Sequence, residues 1–376
     1  MQTKPFDSQT ENHSLRYSNI ELLRIVAMVL IVAHHFAKHS GFDFPLDKIT
    51  INRLWIQFIE VGGKLGVDLF VLISGYFLIS QKTTKTSRLL KLWGQIFFYS
   101  VLIFLIFTVS GIKPLGLKEL IKHIAPITCS QWWFASTYFV LYLLVPYINR
   151  LLHTFDKDQY ILFLAVLVLL WSVIPSFTGQ AFQSNALLWF VVLYSIAGYI
   201  RLYGIKTALS SRRLLGYAFA CLLLTFLSAI VFDIMGIKIP FFGKHATFFY
   251  GMQKLPILII SLLMFIGFTK LSIGYHKSIN LIASATFGVY LIHDSSYVRS
   301  FLWKTLFNSV AYSDSNLLIL YSMIVIIIVF VGCSVIELMR IHLIENHAVS
   351  YFDRISMFID NKIKMTLSNK LINLFK

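Results

Sequence analysis

A chain of 376 residues in which 57% are hydrophobic and only 13% charged, with a mean hydropathy of +0.74, is too apolar for a water-soluble globule. The formal net charge of +16 would suit a nucleic-acid binder, but the cations fall in the gaps between long apolar blocks. There membrane lipids with anionic headgroups and polyanionic cytosolic metabolites are the natural partners, and no nucleic acid is expected.

The apolar residues come in ten blocks of roughly the length that carries a helix across about 30 Å of hydrocarbon. They run over 20–38, 61–80, 89–111, 132–151, 159–176, 186–203, 213–235, 250–270, 278–294 and 316–339. Residues 1–19 are polar, mixed in charge and followed by no small-residue cleavage site, so they read as a retained cytoplasmic segment. Lys and Arg concentrate in alternate gaps (Lys82, Lys85, Arg88 and Lys91; Arg150 and Lys157; Arg201, Lys206, Arg212 and Arg213; Lys270 and Lys277), which places both termini inside. The fold class predicted is all-α: a polytopic transmembrane helix bundle of about ten spans in the plasma membrane. A transmembrane domain over 20–345 is followed by a basic amphipathic tail, 346–376, on the inner leaflet. Richness in Ile, Lys and Asn suggests an AT-rich bacterial source. Cys129, Cys221 and Cys333 make neither a disulfide framework nor a metal-ligand spacing, so no metal is expected.

The first block, "ELLRIVAMVLIVAHHFAKH", carries ionisable groups where a span should be apolar. Arg24 and His35 are eleven positions apart, three turns plus roughly 20° of rotation, so they share a face about 16 Å apart along the axis. Glu21 stands one turn before Arg24, where the two can pair. Ionisable groups inside a span cost a few kcal/mol each and usually face a bundle interior or a wet cavity. The plain alternative is that Glu21 and Arg24 snorkel to the headgroups while the histidines sit in the interface.

In the second block, "KLGVDLFVLISGYFLIS", Asp68 enters at about the depth of His35 if the two helices run antiparallel. A carboxylate there could orient the imidazole and raise its basicity, as a general base needs, or it could merely cap the helix. Ser74 and Gly75 suit close helix packing.

"LLRIVAMVLIVAHH" followed by "GVDLFVLISGYFLI" resembles the first two helices of the acyltransferase-3 family of integral membrane acyltransferases. "SRLLKLW" is similar to that family's basic motif, "QWWFASTYFVLYLLVPYI" to its Trp-Phe and Tyr-Leu-Leu-x-Pro segment, and "SATFGVYLIH" to its late Ser-Phe-Gly-Ile-Tyr-Leu-Ile-His motif. The patches span most of the chain in the family's order. The resemblance implies an enzyme that takes an acyl group, usually acetyl, from cytosolic acyl-CoA to a hydroxyl of a cell-surface glycan or its lipid-linked precursor. It makes Arg24 and His35 the essential pair, with His35 catalytic. The family's two arginines three apart are here Arg88 and Lys91, and lysine keeps the charge but not the bidentate fork.

The cations Lys85, Arg88 and Lys91, with Arg24, are therefore the expected acyl-CoA-binding residues, and acetyl-CoA is expected as donor substrate rather than as a bound cofactor. His35, oriented by Asp68, would deprotonate the acceptor hydroxyl, or else carry the acyl group itself. His34, His293, Glu21 and Tyr290 are secondary candidates for acceptor contact or structural support. Trp132 and Trp133 read first as interfacial belt residues and second as a sugar-stacking surface. The rival class is a transporter or flippase that moves a glycan or lipid-linked substrate past the same polar stripe. The inner basic cluster and the lack of inverted repeats with broken helices weigh against it. A peptide or small-molecule acceptor, and assembly as a homo-oligomer, stay open.

Overall fold

The computed structural model describes residues 17–81, 85–180 and 182–374, the side chains of 349 and 363–374 excepted. Most of the predicted segment 1–19, and Lys82 of the basic cluster, lie outside them. Among the described residues all regular structure is helical.

In chain order the helices are α1 (Ser18–His39), α2 (Ile51–Glu60), α3 (Gly62–Leu78), α4 (Thr86–Val109), α5 (Leu117–Ile124), α6 (Trp133–Leu152), α7 (Lys157–Val168) and α8 (Ile174–Thr178). There follow α9 (Ala186–Tyr203), α10 (Ser211–Gly236), α11 (Pro240–Lys244), α12 (Leu255–Thr269), α13 (Lys277–His293), α14 (Ser296–Ser300), α15 (Leu318–Arg340) and α16 (Asn346–Leu374). Seven helical stretches among the described residues are long and apolar enough to cross a membrane: α1, α4, α7 continued into α8, α9, α10, α11 through α12, and α15 continued into α16. The three other apolar blocks fall on α3, α6 and α13.

Helix starts follow local chemistry. Asp156 and Gln159 make a reciprocal capping box at the head of α7, while Asn185 and Ser210 accept from the first-turn amides of α9 and α10. The joints between α7 and α8 and between α15 and α16 are single π-helical turns, Leu169–Val173 and Ile341–Glu345, so both run on as nearly continuous rods.

Burial separates the helices. α1 is the central one, packed against α2, α3, α12, α13 and α15, with Leu23, Ala27, Val32 and Phe36 fully buried. α10 is its opposite: Phe219, Leu224 and Ile234 stand exposed, as a lipid-facing helix requires. α3 lies unusually close to α1 because glycines line the contact. A methyl carbon on Gly66 would stand 2.6 Å from the Ala27 carbonyl oxygen, closer than any real contact, so only glycine fits. Gly75 packs tightly on the far face of α3, where a methyl carbon would stand 3.0 Å from Tyr194 and Ala197 of α9. The predicted surface tail does not simply lie apart. Along α16, Phe352 sits over Gly94, and the Thr86 hydroxyl donates to Asp360 Oδ1 at 2.6 Å, so α16 packs on α4.

Candidate active site

Arg24 and His35 share one face of α1, as their spacing requires, and that face opens on two adjoining cavities. One is walled by Arg24, Ser74, Leu92, Tyr138 and Thr286. The other is walled by His34, His35, Lys64, Trp133 and Tyr290. Phe70, Phe134 and Phe287 belong to the walls of both. A polar entrance at Arg24 thus leads past three aromatic rings to the histidines.

His35 sits in a chain of hydrogen bonds whose protons can be placed. His293 Nδ1 lies 2.5 Å from the Val289 carbonyl oxygen, one turn back on α13. A carbonyl only accepts, so His293 carries its proton on Nδ1 and presents a lone pair at Nε2. That Nε2 is 2.8 Å from His35 Nδ1, which must therefore be the donor. The neutral His35 ring is left with its lone pair on Nε2, the nitrogen a general base or nucleophile uses.

The carboxylate beside His35 is Asp294, not Asp68. Asp294 Oδ1 lies 3.6 Å from His35 Nδ1 and 3.9 Å from His39 Nε2, and Arg299 Nη2 pairs with it at 2.9 Å. Asp68 is fully buried but turns to α9, where its Oδ1 accepts from the Trp189 indole at 3.0 Å. Position along α3 does not determine which way a side chain points around the helix axis. Asp294 is positioned by the end of α13, whose final residue is His293, so one helix terminus supplies both the hydrogen-bond partner and the charge.

The remaining expected residues separate by position. Glu21 pairs with Arg24 at 3.6 Å. His34 lines the cavity, with Nδ1 2.7 Å from the Glu60 carbonyl oxygen. Tyr290 also lines it and packs edge-on against Phe134. Trp133 is part of that wall too, and Trp132 is buried, so neither is simply a belt residue. The basic cluster does not converge. Arg88 Nη1 donates to Gln81 Oε1 at 3.0 Å, and Lys85 sits just ahead of α4. Lys91 lines a different cavity, with Arg340 and Phe352, between α4 and α16.

Sequence reasoning missed His39, Lys64 and Arg299. His39 was legible, standing one turn beyond His35 on the same face. Arg299 carried no such signal, because its role depends on the turn after α13 bringing it back to Asp294. His35, His39 and Asp294 offer three potential ligand atoms within 4.8 Å of one another. The guanidinium of Arg299 already supplies the cation on Asp294, and His35 Nδ1 is engaged by His293, so the set suits proton chemistry better than a metal.

Comparison with known proteins identifies the family. The family model described as an acyltransferase domain matches residues 17–338. The chain belongs to the acyltransferase-3 family. Among curated proteins and among solved structures there is no match. The matched region begins at the head of α1 and ends within α15, so this membrane acyltransferase carries its paired cavities inside the family domain, and α16 lies beyond it.

Proposed function

We propose that the chain is an O-acyltransferase of a bacterial plasma membrane, with about ten spans and both termini in the cytoplasm. It moves an acetyl or other short acyl group from cytosolic acyl-CoA to a hydroxyl of a cell-surface polysaccharide or its lipid-linked precursor. The observation that carries this reading is the proton order of the Val289–His293–His35 chain, which leaves His35 Nε2 as a free base at a cavity adjoining the one that starts at Arg24.

In the reaction, Nε2 of His35 takes the proton of the acceptor hydroxyl as its oxygen attacks the thioester carbonyl. The tetrahedral intermediate collapses with loss of the CoA thiolate, which takes the proton back from the imidazolium. During the step His35 is cationic, and Asp294 at 3.6 Å stabilises that charge while Arg299 fixes the carboxylate. Arg24, held by Glu21, walls the entrance cavity and is suited to the donor's phosphates, with Arg88 in the first turn of α4 as a second candidate cation. The pantetheine arm runs past Phe70, Phe134 and Phe287.

The test is transfer of radiolabelled acetyl from acetyl-CoA into lipid and polysaccharide fractions of inverted membrane vesicles, with the wild-type chain and with His35→Ala. Label in a glycan fraction that vanishes in the variant at equal protein supports the reading. Equal label in both rejects His35 as the base. No label in either favours a transporter of the same substrates. Acyl label retained on the protein without acceptor would favour a relay through an acyl-imidazole at the same nitrogen.

A further inference from the structure

Resting on the acyl-transfer reading of this cavity, we infer that its acceptor is an anionic sugar, held by Lys64. Lys64 is the cation among the residues that wall the histidine cavity. Among the described residues no carboxylate lies within 4.0 Å of its ammonium. Of the neighbouring carboxylates, Asp294 is paired with Arg299 and Glu60 with Lys38 at 2.7 Å, while Asp68 accepts from Trp189 and acts on Lys64 only through space. The ammonium instead rests over the face of Trp133, 4.8 Å from the ring centre.

A cation–π contact is worth roughly 0.5–2 kcal/mol and leaves the ammonium's donors free of any oxygen. A largely desolvated Lys held this way is poised to take a negative group that enters the cavity. The donor's phosphates are suited to the opposite end, at Arg24 about 16 Å away along α1, so the anion at Lys64 belongs to the acceptor.

His34 narrows the chemistry further. Its Nδ1 faces the Glu60 carbonyl oxygen at 2.7 Å and must donate, so its Nε2 is an acceptor for a hydroxyl or amide N–H of the same ligand. A ring substituent that donates, a hydroxyl within reach of His35, and a carboxylate or phosphate at Lys64 together describe a uronate-type or phosphorylated sugar. A neutral hexose would offer the ammonium hydroxyl oxygens but no compensating charge.

The experiment compares acceptors with the purified full-length chain in nanodiscs, reading CoA release from acetyl-CoA. The acceptors are a hexuronate oligosaccharide, its carboxyl-reduced neutral counterpart and a hexose phosphate. The wild-type chain is expected to favour a charged acceptor about tenfold or more in kcat/KM. Lys64→Gln should abolish that preference through KM, and Lys64→Arg should restore most of it. Which charged acceptor is preferred separates carboxylate from phosphate. An equal fall in kcat for charged and neutral acceptors in Lys64→Gln would overturn the inference, assigning Lys64 to the reacting carbonyl. No change in the ratio would overturn it equally. If Lys64→Gln fails to fold, the Lys64→Arg and wild-type ratios still decide, because the absence of any preference for a charged acceptor in wild type rejects the inference. Binding of the same sugars without acetyl-CoA, read by tryptophan fluorescence, keeps the two readings apart. Charge-dependent binding abolished in Lys64→Gln with no CoA release would sink acyl transfer and leave the anionic site standing.

Discussion

Two buried ionic networks in this molecule use the same residue types to opposite ends. At the α4–α15 contact, Glu337 is fully buried and every lone pair is occupied. Its Oε1 accepts from Gln95 and Arg340, each at 2.8 Å, and its Oε2 from Tyr99 at 2.5 Å and Arg340 at 2.9 Å. Nothing is left over for a ligand. At the α1–α13 contact, His293 and Asp294 are as deeply buried, yet the network they form stops at His35 with one ring nitrogen unassigned and a cavity beside it. A saturated network can only hold helices together. An incomplete one, whose missing partner is a substrate, can do chemistry.

The sharpest way to break that contrast is to remove one member of each. His35→Ala should lower acyl transfer by about 10²–10⁴-fold, the usual contribution of a positioned general base, while leaving the unfolding midpoint in detergent close to wild type. Glu337→Ala should do the reverse, costing about 1–3 kcal/mol of stability because Gln95 and Tyr99 lose their buried acceptor and Arg340 keeps only Glu345. Thermal unfolding of the purified protein reads it, and a midpoint unchanged from wild type would show that the network is not a lock.

Asp294→Asn tests whether the active network works through charge. At 3.6 Å the carboxylate contributes on the order of 1–4 kcal/mol to a cationic His35, so kcat should fall about five- to several-hundred-fold with KM nearly unchanged. A rise in KM instead would make Asp294 a substrate contact.

The smallest effect belongs to a pair outside both networks. On α5, the Lys122 hydrogen bond holds the Glu119 carboxyl below the usual carboxylate range, with Tyr297 adding a second bond at 3.1 Å. A carboxyl depressed on folding adds stability above its ordinary pKa and loses it as pH falls through the lowered value. Because this pair is solvent-screened, Glu119→Gln should cost under about 1 kcal/mol at neutral pH and nothing measurable once the pH is below both values. A penalty that persists in acid would point to packing rather than charge.

Much of this was legible from the chain alone. Twenty-residue apolar runs dictate helices, because a backbone in hydrocarbon must satisfy its own hydrogen bonds. The 100° step of a helix put Arg24 and His35 on one stripe without reference to any neighbour. The Glu21–Arg24 pair at 3.6 Å follows from the same local geometry. The "SATFGVYLIH" segment, read through its resemblance, pointed to His293.

What the chain alone could not decide was which elements meet. Asp68 and Asp294 are both plausible carboxylates at the depth of His35, and depth is a one-dimensional coordinate. The choice depends on the rotation of α3 about its axis, set by Gly66 against Ala27 and Gly75 against Tyr194, which turns Asp68 toward Trp189. His293 lies 258 positions from His35, so the hydrogen bond that determines the tautomer exists only once α13 has packed on α1. Lys91 shows the same limit from the other side: three residues past Arg88 in a basic motif, it faces α16 and a different cavity. Sequence periodicity determined which groups share a helix face; only the packing of many helices at once decided what each face meets.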